Sequence, residues 1–433
     1  MTSATVYRRT SRCPRGYRTS ETRCASGDAV CYHHRLRYGR CKRPRSVTAV
    51  THDFEELRKF VAPEILFGDD ARALCGAYAE RIGMRRVLVV TDPGVTACGW
   101  VEPVLDDLAE HGIETLVFSD VSPNPRSAQV MRGASAYQEG ACDAIVAVGG
   151  GSPMDCAKGI GVVASNGGHV LDYAGVDRVV VPMPPLICIP TTAGTGADVS
   201  QFAIITDEVN RTKVGLISKS LVPDLALVDP TVLRTMSAEL TAATGMDAMV
   251  HAVEAFVSNA SWEMTDNLAL AAVRRIPQAL PVCCTDPDDG PSRRAMALAS
   301  LDAGLAFSNA SLGAVHALAH ALGGRLDASH GECNALLLGP VMRHNFRYVS
   351  HERLELLAEA LGVSGGSYAE NIPAWFDEFR ASLGIYSEDQ GTVLSESDFE
   401  SIARTASVDA CMATNPYRPS VPQLVEILHD ALD

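Results

Sequence analysis

The chain has 433 residues, including 35 Gly, 23 Pro and 13 Cys, and a formal net charge of −15. At roughly 150 residues per domain, this length predicts two or three domains, each large enough to bury its own core. The composition excludes collagen, low-complexity disorder and a disulfide-rich miniprotein, and no stretch approaches the roughly 18 uncharged apolar residues of a membrane span. Aromatic residues make up only 6% of the chain, which is typical of an aliphatic-rich α/β or helical enzyme.

Residues 1–46 differ from the rest of the chain in charge. They carry eleven Arg and one Lys against Glu21 and Asp28, a net charge of +10, whereas the remaining 387 residues have a net charge of −25. Four cysteines fall in this segment without a C-x-x-C pair, and neither helical nor strand periodicity is visible. A nucleic-acid-binding arm, an organelle transit peptide and a zinc site are the functional interpretations. We favour the alternative, a basic disordered extension over residues 1–50, for which an over-long gene model is one explanation.

From about residue 60 the chain alternates buried-strand runs with helical patterns. Strands are predicted at 86–91, 114–119 and 144–148, with helices at 101–111 and 127–139 between them. This alternation predicts a parallel sheet with helices on both of its faces.

The pattern changes after a further predicted strand at 186–189. Runs at 202–206 and 213–217 flank a polar segment and predict a β-hairpin, and a strand-like run at 225–228 closes this half.

Beyond about residue 232 strand signals fade, and Ala- and Leu-rich helical patterns continue to the C-terminus. We therefore expect a dinucleotide-binding α/β domain over 51–230 and an all-helical domain over 231–433.

A glycine-rich run at 149–155 (GGGSPMD) follows a buried strand and opens a helix. Glycines let a phosphate approach the backbone closely, and a helix N-terminus offers free N–H groups to an anion. Ser152 is the expected N-cap and Pro153 the expected first helical residue. The run departs from G-x-G-x-x-G and lacks the Lys-Ser/Thr of a P-loop, so a tight strand–helix turn is the alternative.

Two other loops offer groups for a cofactor. Asp92 ends a strand, where its carboxylate could bind a ribose diol and repel a 2′-phosphate, which favours NAD over NADP. A turn residue in Asp-Pro-Gly is its alternative interpretation. Residues 191–196 (TTAGTG) form a hydroxyl- and glycine-rich loop after another strand.

Acidic and histidine side chains recur at helical spacing in the C-terminal half. Asp247 and His251 are four residues apart, and His316 and His320 repeat that spacing before His330. Residues at i and i+4 lie on one helix face, which suits joint metal ligation. A lone histidine of this kind is more often a packing residue, but each member of this set would need a buried partner. One Asp with two or three imidazoles is typical of a Zn²⁺ or Fe²⁺ site, although the spacing does not decide which histidines ligate.

Together, these motifs resemble the iron-containing, or group III, alcohol dehydrogenases. The resemblance runs from about Phe60 to the C-terminus and rests on several runs in order: 149–155, 190–195, 245–251, the three histidines with Gly331, and TNP at 414–416. It implies a dehydroquinate synthase-like architecture, in which an NAD-binding α/β domain is followed by an all-helical metal-binding domain. The active site would lie in the cleft between them.

The resemblance also implies individual roles. The metal ligands would be Asp247, His251, His316 and His330, with Fe²⁺ as the first candidate metal and Zn²⁺ as the second. His320 would be the catalytic proton relay beside the nicotinamide. The positions that would bind NAD are Asp92, Asn124, Gly150, Gly151, Ser152, Thr191, Thr192, Thr195 and Lys213.

The expected activity is the interconversion of a small primary alcohol or diol and its aldehyde. We expect a cytoplasmic homodimer or larger homo-oligomer without nucleic-acid or membrane partners, with a substrate pocket whose size depends on side chains such as Phe202 or Phe256. Two alternatives stay open. One is a related enzyme, such as glycerol dehydrogenase, maleylacetate reductase or dehydroquinate synthase, and the other is a regulatory protein that keeps the fold without turnover.

Overall fold

The computed structural model describes residues 58–386 and 394–432. The predicted basic extension at 1–50 lies outside the described residues.

Nine short strands form two sheets in the described part of the chain. Six of the strands make a parallel sheet in the order β1-β9-β6-β4-β2-β3, and the other three make a small sheet in the order β5-β8-β7. The strands are β1 Glu64–Phe67, β2 Arg86–Val90, β3 Glu114–Phe118, β4 Ala144–Gly149, β5 Gly175–Val176, β6 Leu186–Pro190, β7 Phe202–Asp207, β8 Thr212–Ile217 and β9 Leu225–Val228. The central strands β4 and β6 are buried throughout, which explains why they are continuous apolar runs rather than alternating ones.

Helices cover both faces of the large sheet. Alternate side chains of β2 separate the two cores: Val87 and Val89 pack with α1 and α3, whereas Leu88 and Val90 pack with α4 and α5. These helices, together with the short α2, are α1 Cys75–Arg81, α2 Pro93–Ala97, α3 Glu102–Glu110, α4 Ser127–Glu139 and α5 Gly151–Asn166.

The C-terminal half is helical and encloses one large core. The α6 helix is buried on nearly every side from Thr241 onward, which its Ala- and Met-rich sequence allows. The helices are α6 Ala238–Val257, α7 Glu263–Thr285, α8 Gly290–Ala310, α9 Ala314–Leu326, α10 His330–Asn345, α11 His351–Leu361, α12 Tyr368–Ser382, α13 Glu396–Ser407 and α14 Val421–Leu432. In the part of the chain that the structure describes, none of the helices is both long enough and apolar enough to cross a membrane.

The predicted fold class is confirmed: a parallel sheet with helices on both faces precedes a helical C-terminal region. The hairpin of β7 and β8 is also antiparallel, as expected.

Three local details differ from the sequence predictions. The strand β1 was not predicted, because it has only four residues and its apolar run, Ile65–Phe67, is too short to indicate a strand by itself. The Asp-Pro-Gly turn is the start of helix α2, in which the Asp92 side chain caps the Val95 N–H. Ser152 is not the N-cap of α5, since the helix already begins at Gly151 and Gly150 is the capping residue.

Candidate active site

A cleft of about 1060 Å³ opens where the carboxyl ends of the parallel strands face the helical half. In a parallel α/β sheet this edge is the usual ligand-binding position, because the loops that follow neighbouring strands meet there. All the residues predicted as cofactor contacts, metal ligands or proton relay line this one cleft: Asp92, Asn124, Gly150, Gly151, Ser152, Thr191, Thr192, Thr195, Lys213, Asp247, His251, His316, His320 and His330.

The glycine-rich loop packs tightly against the threonine-rich loop. A Cβ at Gly150 would lie 3.0 Å from Thr192 Cγ2, and one at Gly151 would lie 2.9 Å from Thr195 Cγ2. Only glycine lets these two loops approach so closely while the N-terminus of α5 stays open to the cleft. The Thr192 hydroxyl oxygen is buried and has no hydrogen-bond partner among the described residues. The two loops therefore form a cradle with free donors, as a phosphate requires.

Polar side chains continue the cradle on both sides. Asp92 Oδ1 accepts a hydrogen bond from the Val95 N–H at 2.9 Å. Asn124, held at a φ of 56°, accepts one from Lys213 Nζ at 2.7 Å. Burial lowers the pKa of Lys213 below its usual value, and nearby acidic side chains such as Asp327 oppose this shift.

Four donor atoms from three helices converge at the other end of the cleft. Asp247 and His251 are one turn apart on α6, His316 lies in the first turn of α9, and His330 begins α10. The Nε2 atoms of His251, His316 and His330 lie 3.9, 3.7 and 3.8 Å from Asp247 Oδ1. Ligand atoms of Asp247, His251 and His316 all lie within 4.8 Å of one another, and His330 adds a further imidazole on the Asp247 side. A carboxylate oxygen with imidazole nitrogens is a donor set that suits a divalent transition-metal ion.

Two of the imidazoles are oriented through their second nitrogen. His251 Nδ1 lies 3.0 Å from the Gly194 carbonyl oxygen, and His316 Nδ1 lies 2.6 Å from Glu254 Oε2. Glu254 is fully buried and also accepts the Val315 N–H at 2.7 Å. These contacts leave each Nε2 directed towards Asp247, the arrangement that ligating histidines commonly need.

The protonation of this group follows from its burial and its charges. Burial lowers the pKa of His251 to about 4 and holds that of His330 well below its usual value. Burial would also lower the pKa of His316, but hydrogen bonds with Asp247 and Glu254 raise it to about 9. Burial opposes ionisation of Asp247, yet the neighbouring histidines bring the pKa of its carboxyl well below the usual range. Asp247 is thus a carboxylate and His251 and His330 are neutral, as cation binding requires, whereas His316 must lose a proton before it can bind a cation.

Asn334 is the fifth polar side chain at this point. Its Nδ2 lies 2.7 Å from Asp247 Oδ1, 3.1 Å from His316 Nε2 and 3.2 Å from His330 Nε2. The amide thus contacts three of the four donor atoms and is itself completely buried.

His320 stands beside the group rather than within it. Its ring stacks on that of His330 with 5.4 Å between centroids, and its Nδ1 lies 3.0 Å from Asp409 Oδ2. The neighbouring wall of the cleft includes Phe202 and Phe307. The Phe307 ring stacks on the His251 ring with 4.2 Å between centroids. The expectation that Phe256 shapes the pocket is wrong, because it is buried beneath the Arg353 guanidinium and does not line the cleft.

Sequence reasoning missed three residues of this site. Glu254 and Asn334 carried a usable signal, since they follow His251 by three residues and His330 by four, and so share their helix faces. Asp409 carried none, because it is 89 residues from His320 in the chain.

Comparisons with known proteins all point to one protein family. Residues 62–230 match the family model for iron-containing alcohol dehydrogenases, and residues 241–432 match the model for the C-terminal part of Fe-containing alcohol dehydrogenases. The chain is 36% identical to an NAD-dependent methanol dehydrogenase of Bacillus methanolicus over 86% of its length and 99% of that protein. It is 37% identical to a 1,3-propanediol dehydrogenase of Citrobacter freundii over 86% of its length and 98% of that protein.

Solved structures agree. A 1,3-propanediol oxidoreductase superposes with a TM-score of 0.83 at 36% identity, covering 87% of this chain and all (100%) of that one. An alcohol dehydrogenase from Oenococcus oeni gives 0.83 at 34% identity with the same coverage. With both halves matched by the family's models and relatives covered almost end to end, the chain belongs to the iron-containing alcohol dehydrogenase family.

Proposed function

We propose that the protein is a metal-dependent, NAD-linked dehydrogenase that interconverts a small primary alcohol or diol and its aldehyde. The observation that carries the proposal is the shared cleft: a glycine-lined cradle for a dinucleotide opens onto a cluster of one carboxylate and three imidazoles. Family relatives named as methanol and 1,3-propanediol dehydrogenases support the same substrate class.

Asp247, His251, His316 and His330 would hold the metal, with Fe²⁺ as the first candidate and Zn²⁺ as the second. The fit rests on the donor set, because three nitrogens and one carboxylate oxygen suit either ion. When bound, the cation would supply Lewis-acid polarisation of the substrate oxygen.

The cradle would hold NAD, whose oxidised form would be the hydride acceptor. The open N-terminus of α5 suits a pyrophosphate, and Asp92 would bind the ribose diol and disfavour a 2′-phosphate. The residues that we assign to cofactor binding are Asp92, Asn124, Gly150, Gly151, Ser152, Thr191, Thr192, Thr195 and Lys213.

His320 is the proposed catalytic residue. In alcohol oxidation, the His320 imidazole would take the proton released as the substrate O–H bond breaks, and NAD⁺ held by the cradle would be the acceptor for the hydride released as the C–H bond breaks. The aldehyde and NADH result, and the reverse sequence reduces an aldehyde. The apolar wall of Phe202 and Phe307 beside His251 suits a short carbon chain.

The proposal also covers the domain boundaries, the cellular compartment and the oligomeric state. We divide the chain into an extension at 1–50, an NAD-binding domain at 51–230 and a metal-binding domain at 231–433. Support for the second boundary is the change from the last strand, Leu225–Val228, to the first long helix, Ala238–Val257. We further propose a cytoplasmic homodimer or larger homo-oligomer, and the nine free thiols of the described chain are consistent with a reducing compartment.

The proposal is tested by metal analysis together with NADH formation on a panel of short primary alcohols and diols. We expect about one metal ion per chain, NAD-dependent turnover on at least one of these substrates, and loss of that turnover after chelation. Metal-loaded protein that binds NADH but turns over no alcohol, diol or aldehyde would instead indicate a regulatory protein.

A further inference from the structure

The TNP run at 414–416 has no part in the chemistry above, but its contacts anchor it to α9. Asn415 Oδ1 accepts hydrogen bonds from the Ala314 N–H at 3.0 Å and from Asn345 Nδ2 at 2.9 Å. Thr414 Oγ1 donates to the Leu312 carbonyl oxygen at 2.6 Å. This run therefore caps the first residue of α9, the helix that carries both His316 and His320.

Asp409, just before this run, contacts α9 about two turns further along the helix. Asp409 caps the 3₁₀ turn Ala410–Thr414, and its Oδ1 accepts the Cys411 N–H at 2.8 Å. Its Oδ2 lies 3.0 Å from His320 Nδ1. Both carboxylate oxygens are thus engaged, and the side chain is only 17% exposed. Residues 409–415, which we call the clamp segment, hold the start of α9 at one end and His320 at the other.

We propose that Asp409 is a positioning residue that fixes the ring orientation and the tautomer of His320. A carboxylate accepts but does not donate, so the proton of a neutral His320 ring is held on Nδ1. Nε2 is then the unprotonated nitrogen, available to take the proton of a substrate hydroxyl in the cleft that His320 lines. The inference rests on the proposed function, because it assigns Asp409 a role only through His320.

A second metal site is the competing interpretation of this cluster. One ligand atom each of His320, Asp409 and Cys411 lies within 4.8 Å of the others. However, burial and the charge of Asp409 raise the pKa of the Cys411 thiol well above its usual value, so it is a poor ligand for a cation. The Asp409 oxygens already have partners, which favours positioning over ligation.

The decisive variant is Asp409→Asn. The amide oxygen can still accept the Cys411 N–H, so the turn keeps its cap, but the NH₂ group then faces His320 Nδ1. The imidazole must accept at Nδ1 and carry its proton on Nε2, which is the wrong tautomer for accepting another. We expect kcat to fall about 10- to 100-fold, a loss comparable with that seen when the carboxylate partner of a metal-ligating histidine is replaced. KM, metal content and Tm should be unchanged.

Three further variants identify the cause. His320→Ala should be slow, and the double variant with Asp409→Asn should be no slower, because Asp409 acts through His320. Asp409→Glu keeps the carboxylate and should recover part of the rate. Asp398→Asn is the matched control. Asp398 of α13 pairs with Arg325 of α9, the helix that carries His320, and its replacement should leave kcat unchanged.

Each result has a definite meaning. Turnover of Asp409→Asn within twofold of the native rate, additive losses in the double variant, or no recovery with Asp409→Glu would overturn the inference while leaving the proposed function intact. Full turnover by His320→Ala would overturn the inference together with the proposed proton relay. Two metal ions per native chain, falling to one in Asp409→Asn, would establish the second metal site instead.

Discussion

At the residue scale, the candidate site combines side chains that the sequence reveals with side chains that only the fold reveals. The i, i+4 spacing of Asp247 and His251 is visible in the sequence because both lie on one helix turn. Glu254 shares a helix face with His251, but that it orients His316 of another helix is a contact that only the fold reveals. The Gly194 carbonyl that orients His251 has no sequence signature at all.

A metal ion must displace a proton from His316. Hydrogen bonds to Asp247 and Glu254 raise the pKa of this imidazole to about 9, so in the metal-free protein it is protonated at neutral pH. Metal affinity should therefore weaken about tenfold for each pH unit below about 9 and level off above it. Calorimetric titration of chelator-treated protein with Zn²⁺ at pH 7.5, in buffers of different ionisation enthalpy, should count close to one proton released. Release of no proton would contradict this protonation state.

Glu254→Gln separates the two causes of that raised pKa. Without the carboxylate, His316 should release less proton on metal binding, and metal affinity should fall about 10- to 100-fold. Glu239→Gln, on the exposed first turn of the same helix, provides the control. Equal affinities for the two variants, measured by competition with a chromophoric chelator, would show that Glu254 does not orient the ligand.

At the element scale, predictions held wherever a strand or helix buries a continuous face. The central strands and the β7–β8 hairpin were readable from apolar runs and a polar turn. The edge strand β1 was not, because its pairing with β9 is a long-range contact that leaves its own side chains partly exposed. No sequence pattern predicted that the threonine-rich loop packs against α8, a contact that fixes the loop over the cleft.

Gly196 makes that packing possible. It has a φ of +58°, and a Cβ there would lie 2.6 Å from the Gly304 Cα of α8. Gly196→Ala should cost about 1–2 kcal/mol for the left-handed backbone and about 1–3 kcal/mol more for overpacking, and should weaken NADH binding.

Gly83→Ala is the control for backbone strain alone, because its φ is +83° and a Cβ would meet nothing within 4 Å. Urea denaturation and NADH fluorescence titration measure both effects. If the two variants lost the same free energy of unfolding, the close approach of the loop to α8 would make no contribution to stability.

At the scale of the whole molecule, the proposed cofactor cradle and the proposed metal ligands lie on opposite sides of one cleft. A polar contact crosses between them where Asn124 Nδ2 and Arg126 Nη2 approach the two Asp327 oxygens at 3.2 and 3.1 Å. Asp327 follows α9 and precedes His330 by three residues, so this contact joins the loop after β3 to the metal cluster. Chain order and motif spacing predicted two halves and one shared site, but no sequence feature predicted this contact.

The central claim is that metal binding and alcohol oxidation depend on the same four side chains. The most direct measurement is metal content and NADH formation on the same preparations of native protein, Asp247→Ala, His316→Ala and the exposed control His351→Ala. We expect Asp247→Ala and His316→Ala to lose metal and turnover together while keeping NADH binding, and His351→Ala to keep its metal and its turnover. Full turnover by either ligand variant in the absence of metal would contradict it.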